Sequence, residues 1–338
     1  MFKKACGLFS GARFYSNRVA YKRFNNNQGN SFSQLLFDRT SRKYLALVFG
    51  GGSLFYLTHL EEAPVSGRTR FIWLPRSLEL KVGAYSYRSI LGETEGRILP
   101  ANHYLTRKVS NIFQKIVTAA ENDPTVDNSL LQGIDWQIHI VDDPRAPPNA
   151  FVLPGGKVFV FSSILNVCKN EDGLATVLSH EFAHQLARHT AENLSKAPVY
   201  SIIGALLYTV TGADIFNRLL LDGLLRMPAS RQMETEADYI GLMIMSRACF
   251  NPDESVRLWQ RMAQLEQQSK RRGMISTEFL STHPASDKRI ENMANWLPKA
   301  KEIYSQSNCG MLGGYYDTFQ SAFGSPFSGE PKITSWGL

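Results

Sequence analysis

From Tyr104 to Glu121 apolar residues recur every three or four positions, with Val109, Ile112, Phe113, Ile116 and Val117 on one face, and this spacing predicts a helix. The period then drops to two. In DWQIHIVDD, Trp136, Ile138 and Ile140 alternate with polar neighbours, which predicts a half-buried strand. NAFVLPGGKVFVF follows as two short strands around a turn at Pro154-Gly155-Gly156, the second running through Val158 and Val160. The proline-containing first arm belongs at a sheet edge, because proline breaks a central ladder. Helical spacing returns from about Asp172 to His189, through Leu174, Val177, Leu178, Phe182 and Leu186. Three further helices are expected: one opened by Ser230 as N-cap, one from Asp253 to Lys270, and one from Pro284 to Trp296 with proline at its first position. Residues 63–100 read as a linker, then strand-like and turn material. The resulting class is mainly α with a small β-sheet, an α+β domain over residues 101–305.

Two apolar stretches fall outside this pattern. Tyr44 to Leu60 carries no formal charge and sits at the short end of what spans a bilayer. Its Gly50-Gly51-Gly52 suits a membrane helix better than a soluble one. The expectation is an anchor over residues 38–62, with a buried core helix as the alternative. Arg39, Arg42 and Lys43 precede the run and Glu61 and Glu62 follow it, so the positive-inside bias puts the later chain across the membrane. A second apolar stretch, about 197–225, is short for a span and reads as packing on or near the membrane surface.

Charge changes the picture at the start of the chain. The net charge of +7 could suggest nucleic acid, but six basic residues and no acid lie between Met1 and Phe37, leaving a nearly neutral body. That Arg/Lys-rich, acid-free leader has the composition of a mitochondrial transit peptide, and nucleic acid is set aside as a partner. Four scattered cysteines make neither a disulfide framework nor a CxxC zinc site. Buried free thiols are the expectation for Cys249 and Cys309, with a bridge between them as the alternative. The tail, 306–338, is rich in Gly, Ser and aromatics and receives no role.

The chemistry concentrates in LSHEFAHQLARH. On a helix, residues i and i+4 share a face, so His180 and His184 aim two imidazoles at one point with Glu181 beside them. Zinc held by three protein donors leaves a position for water, and a neighbouring glutamate can take that water's proton as it attacks a carbonyl. A third donor is available in ETEAD: Glu234 completes a His2Glu set, and Asp238, one turn on, can accept from the far nitrogen of a ligand histidine, His180 first. In STHPASDKRI, His283 can donate to a developing oxyanion or meet the water at the metal; its alternative is a capping or surface histidine. Arg289 is expected in a structural salt bridge, and His189 on the surface without a role. A di-iron site would need a second Glu-x-x-His, which the chain lacks.

In this order, HEFAH, ETEAD, the preceding NAFVLPGGKVFVFSSIL and the following STHPASDKRI resemble the HtpX-type and CAAX-prenyl-endopeptidase family of zinc metallopeptidases. The resemblance implies a gluzincin-like, mostly helical domain, zinc on His180, His184 and Glu234, and Glu181 as general base. It implies that the edge strand around Asn149, Ala150, Phe151 and Val152 pairs with an extended substrate backbone. It also implies mitochondrial quality control, with protein substrates in or at the inner membrane. The expectation is therefore a zinc endopeptidase anchored in the inner membrane, in contact with membrane lipid, open to homo-oligomerisation and facing the intermembrane space. The 151–161 hairpin and the His283 loop are placed to gate it. The rival is a non-catalytic membrane scaffold, for which an intact Glu181 has no use.

Overall fold

The protein is described here from a computed structural model over residues 39–63, 66–198, 231–271, 283, 286–307 and 309. The basic leader, the apolar 199–230 with its Ser230 cap, Pro284 and the tail beyond Cys309 lie outside these residues.

The chain divides after Thr58 into two units. In the first, α1 (Arg39–Thr58) has no buried residue, and Tyr44, Leu47, Val48, Phe49 and Leu54 to Leu57 are 46–72% exposed. Among the described residues no helix is long and apolar enough to cross a membrane.

The second unit is mainly helical with two small sheets. It opens with a hairpin, β1 (Leu60–Glu62) and β2 (Thr69–Phe71), paired antiparallel. Of the linker, strand-like and turn material expected over 63–100, β2 is strand, but Arg76–Glu93 form a helix, α2, that was not expected. Its only buried residues are Glu79 and Gly83, while Leu78, Leu80, Val82 and Tyr85 are exposed, so no apolar stripe betrays it. Gly83 is required there: a Cβ would lie 2.0 Å from the carbonyl oxygen of Pro154.

Helix α3 (Tyr104–Glu121) buries the predicted Val109, Ile112, Phe113, Ile116 and Val117. Three strands follow: β3 (Gln137–Val141), β4 (Ala150–Leu153) and β5 (Lys157–Phe161). They form one sheet in the order β3-β5-β4, parallel then antiparallel, which puts β4 at an edge as expected, with Pro148 and Pro154 just outside the strand. After the short α4 (Ser162–Cys168) come α5 (Glu171–Leu186), α6 (Arg231–Arg247), α7 (Asp253–Arg271) and α8 (Asp287–Gln306). Phe113, Trp136 and Phe182 meet at 5.2–6.0 Å between ring centres and tie α3 and the sheet to α5.

Helix α5 is not merely amphipathic. Beyond its apolar positions it buries Ser179, His180, Glu181 and Gln185, so neighbours enclose it on nearly all sides. Its partner α6 comes close at Gly241, where a Cβ would lie 3.0 Å from His180 N. Helix α8 begins at Asp287, not Pro284; Ser286 caps it, its hydroxyl accepting from Arg289 N.

Cys249 and Cys309 form a disulfide, against the expectation of free thiols. Cys249 turns the chain after α6 with φ 66°, and its Cα comes within 5.2 Å of that of Cys309, a separation a bridge can span. Cys168 is free and fully buried, and burial pushes its thiol up to about 12.

Candidate active site

The site lies where α5, α6 and the His283 segment meet. Because His180 and His184 are one turn apart on α5, their Nε2 atoms converge to 3.1 Å. Glu234, in the first turn of α6, brings its carboxylate 3.5 Å from His180 Nε2 and 3.4 Å from His184 Nε2. An ion held tetrahedrally at about 2.0–2.1 Å needs donors about 3.3 Å apart, so three nitrogen and oxygen donors stand at the separations zinc requires.

His283 joins them. Its Nδ1 lies 3.3 Å from His180 Nε2 and 2.9 Å from Glu234 Oε1, and the four residues form one donor group whose atoms all lie within 4.8 Å. The surface alternative for His283 fails, since it is 9% exposed. Glu181 lies alongside: its Oε1 is buried without a hydrogen-bond partner among the described residues, 3.5 Å from His283 Nε2. Burial raises the Glu181 carboxyl above its ordinary value, against the pull of His283 and His180.

The surrounding charges are arranged to hold this group. Asp238 Oδ1 lies 3.0 Å from His180 Nδ1, the far nitrogen of the imidazole. Arg289, 4% exposed, reaches both Asp238 oxygens at 2.7 Å and Glu234 at 2.9 Å, a two-point clamp suited to guanidinium. Its plane lies over Trp259, 3.6 Å from the ring centre, and the same indole meets the His180 ring edge-on. Burial alone would lower His180, but Asp238 and Glu234 outweigh it and raise the imidazole to about 9. Burial dominates at His184 and drives it well below its usual value. For Glu234, burial is overcome by His283 and by hydrogen bonds from His180, His184 and His283, so its carboxyl is held low.

A chain whose donor set, general-base position and buried clamp agree with zinc hydrolysis also matches a known family. The model for peptidase family M48 covers residues 106–297. The chain belongs to peptidase family M48. It is a metallopeptidase, and the family's metal is zinc. The mitochondrial metalloendopeptidase OMA1 of Saccharomyces cerevisiae is 66% identical over 310 residues, covering 91% of this chain and 90% of the relative. That of Schizosaccharomyces pombe is 39% identical over 311 residues, 91% and 86% of the two chains. The Bos taurus metalloendopeptidase OMA1, mitochondrial, is 31% identical over 272 residues, 77% of this chain and half of its own length.

The structure thus brings together His180, Glu181, His184, Glu234, Asp238, His283 and Arg289. Strand β4, with Ala150 buried and Phe151 and Val152 partly exposed, packs against α5; Asn149 is buried just before it. His189 is the correction. It is 2% exposed, and its Nδ1 lies 2.8 Å from His184 Nδ1. Helical spacing did not reveal it, because α5 stops at Leu186 and Arg188, at φ 52°, reverses the chain and returns His189 to His184. Glu236 and Trp259 were missed as well. A second carboxylate inside ETEAD was the available signal for Glu236; Trp259 had none.

Proposed function

We propose that this chain is a zinc endopeptidase of the mitochondrial inner membrane that faces the intermembrane space and cleaves proteins in or at that membrane during quality control and stress. The observation that carries the catalytic reading is the triangle of His180, His184 and Glu234 donors at 3.1, 3.5 and 3.4 Å, with Glu181 beside it. These three would hold the metal. Zinc, when bound, supplies a Lewis acid that polarises a carbonyl and acidifies water.

The chain's own residues do the rest. Glu181, buried and raised, takes a proton from the attacking water and delivers it to the departing amine. Asp238 fixes the His180 tautomer, and Arg289 keeps Asp238 in place. His283 donates to the oxygen of the carbonyl under attack. Since its Nδ1 stands within the donor group, it has to yield that place to substrate, which supports the His283 loop and the 151–161 hairpin as a gate. Asn149 to Val152, at the sheet edge, hydrogen-bond an extended substrate; pairing through main-chain groups tolerates varied side chains.

Placement rests on separate support. The names of the relatives are mitochondrial, and the leader over 1–37 is composed like a transit peptide. The exposed apolar residues of α1 support a lipid-held anchor over 38–62, followed by a linker and the start of the domain over 63–100, the peptidase domain over 101–305 and the tail over 306–338. The disulfide supports an oxidising compartment over the matrix.

Glu181→Gln tests the mechanism: zinc stays bound while cleavage of a membrane-protein substrate is lost, and a variant that still cleaves overturns it. Resistance of the full chain to alkaline extraction from mitochondrial membranes tests the anchor, and equal basal and stress activity counts against the gate.

A further inference from the structure

We propose that His189 is a positioning residue for the metal ligand His184, and that the turn of the β1–β2 hairpin anchors the far end of the relay through which it acts. The inference deepens the zinc-site reading and rests on it. A neutral imidazole that offers Nε2 to a metal keeps its proton on Nδ1. The Nδ1 of His184 lies 2.8 Å from the Nδ1 of His189, and a hydrogen bond between two imidazole nitrogens needs one donor and one acceptor. His184 therefore donates and His189 accepts. The proton of neutral His189 is then on Nε2, which lies 3.1 Å from Glu236 Oε2, an acceptor. Each tautomer along the line is forced by the one before it.

Glu236 is fixed in turn from a distant part of the chain. Arg68 reaches its Oε2 through Nε at 2.8 Å and Nη2 at 2.7 Å, and Ser66 donates to Oε1. The same guanidinium holds Glu192 at 3.1 and 2.6 Å, one turn after His189 in the helical residues 189–198. Ser66 and Arg68 belong to the turn between β1 and β2, so this hairpin is tied to the metal ligand by hydrogen bonds throughout.

The two ligand histidines are thus supported differently. His180 meets its carboxylate directly through Asp238, whereas His184 meets Glu236 through one intervening ring. Both arrangements orient the imidazole and raise its basicity toward a metal. A histidine that only filled space would be replaceable by an apolar residue. One that accepts from His184 would not.

The experiment measures zinc dissociation constants by chelator competition on the full chain, for the wild type, His184→Ala, His189→Leu, His189→Asn and Arg68→Met. Urea unfolding of each metal-free protein is run in parallel. His189→Leu is expected to weaken zinc about 10–100-fold, the range for loss of a ligand's hydrogen-bond partner. His189→Asn, whose Oδ1 can accept where Nδ1 did, is expected to restore most of that loss. Arg68→Met is expected to give a smaller loss in the same direction without unfolding the protein. Should His189→Leu fail to fold, the Asn and Arg68 variants decide: wild-type zinc affinity in Arg68→Met overturns the relay. Equal weakening by Leu and Asn also overturns it. Zinc lost by His184→Ala but held normally by His189→Leu overturns this inference alone. A wild type that binds no zinc overturns it together with the site.

Discussion

Arg289→Met removes a guanidinium that faces two buried carboxylates, Asp238 and Glu234, and its cost can be worked from the contacts. Arg289 closes on both oxygens of Asp238 at 2.7 Å and on Glu234 at 2.9 Å, with Arg289 only 4% exposed. Methionine fills similar space without charge, so the loss is electrostatic and not a cavity. Breaking a buried pair by removing one partner costs about 3–5 kcal/mol, a large share of the roughly 5–15 kcal/mol that holds a domain folded. His180, raised to about 9 by Asp238 and Glu234, offsets part of this in the metal-free protein while it is protonated. The sign follows from the raised value: the imidazolium's contribution is complete below its ordinary 6.5 and is lost as pH rises through about 9. The destabilisation by Arg289→Met should therefore lie near the lower end of the range at neutral pH and grow toward pH 10. Arg289→Lys keeps the charge but not the two-point geometry, so it should recover only part. The assay is urea unfolding of the chelator-treated protein, followed by tryptophan fluorescence, since Trp259 lies directly under the guanidinium. A loss under about 1 kcal/mol, flat with pH, would refute the claim that Asp238 and Glu234 depend on this clamp.

Other predictions come from separate parts of the molecule. Cys249→Ser should destabilise by about 4 kcal/mol, the chain-entropy value for the 60-residue separation that the bridge closes, and unchanged thermal melting would contradict it. Gly241→Ala should push α5 from α6, costing about 1–3 kcal/mol and weakening zinc, because the new methyl meets the backbone of Ser179 and His180 at 3.0 Å; tighter zinc binding would show the helices have room. Burial raises Glu236, but His189, Ser66 and Arg68 overcome it and hold the carboxyl at about 2. Its stabilising contribution should be present above pH 4.5 and fade as pH falls toward 2, so melting temperature should depend on pH more steeply there in the wild type than in Glu236→Gln. Equal slopes would count against it.

What the sequence disclosed and what it hid follow from the range of the signals. Helix α3, strand β3 and the β4–β5 hairpin were legible because each repeats apolar residues at the period of its own structure and packs one face inward. The donors were legible because His180 and His184 sit four apart, and because Glu234 and Asp238 share one helix face. Helix α2 was hidden, since Leu78, Leu80, Val82 and Tyr85 point outward and the side chain it buries is a carboxylate, Glu79. Arg188, left-handed in the turn between α5 and the helical residues that begin at His189, accounts for both that burial and the return of His189: Arg188 Nε lies 3.0 Å from Glu79. The disulfide and the Arg68–Glu236 contact join residues 60 and 168 positions apart, and no local pattern reports such pairs.

The central claim is that His180, His184 and Glu234 hold one zinc ion with Glu181 beside it as base. The most direct measurement is bound zinc and peptidase activity, in lipid, for the wild type beside Glu181→Gln and His184→Ala. The account predicts one zinc per wild-type chain with activity. For Glu181→Gln it predicts retained zinc and a rate at least about 100-fold lower, and for His184→Ala loss of both. An active Glu181→Gln, or full zinc in His184→Ala, would contradict it.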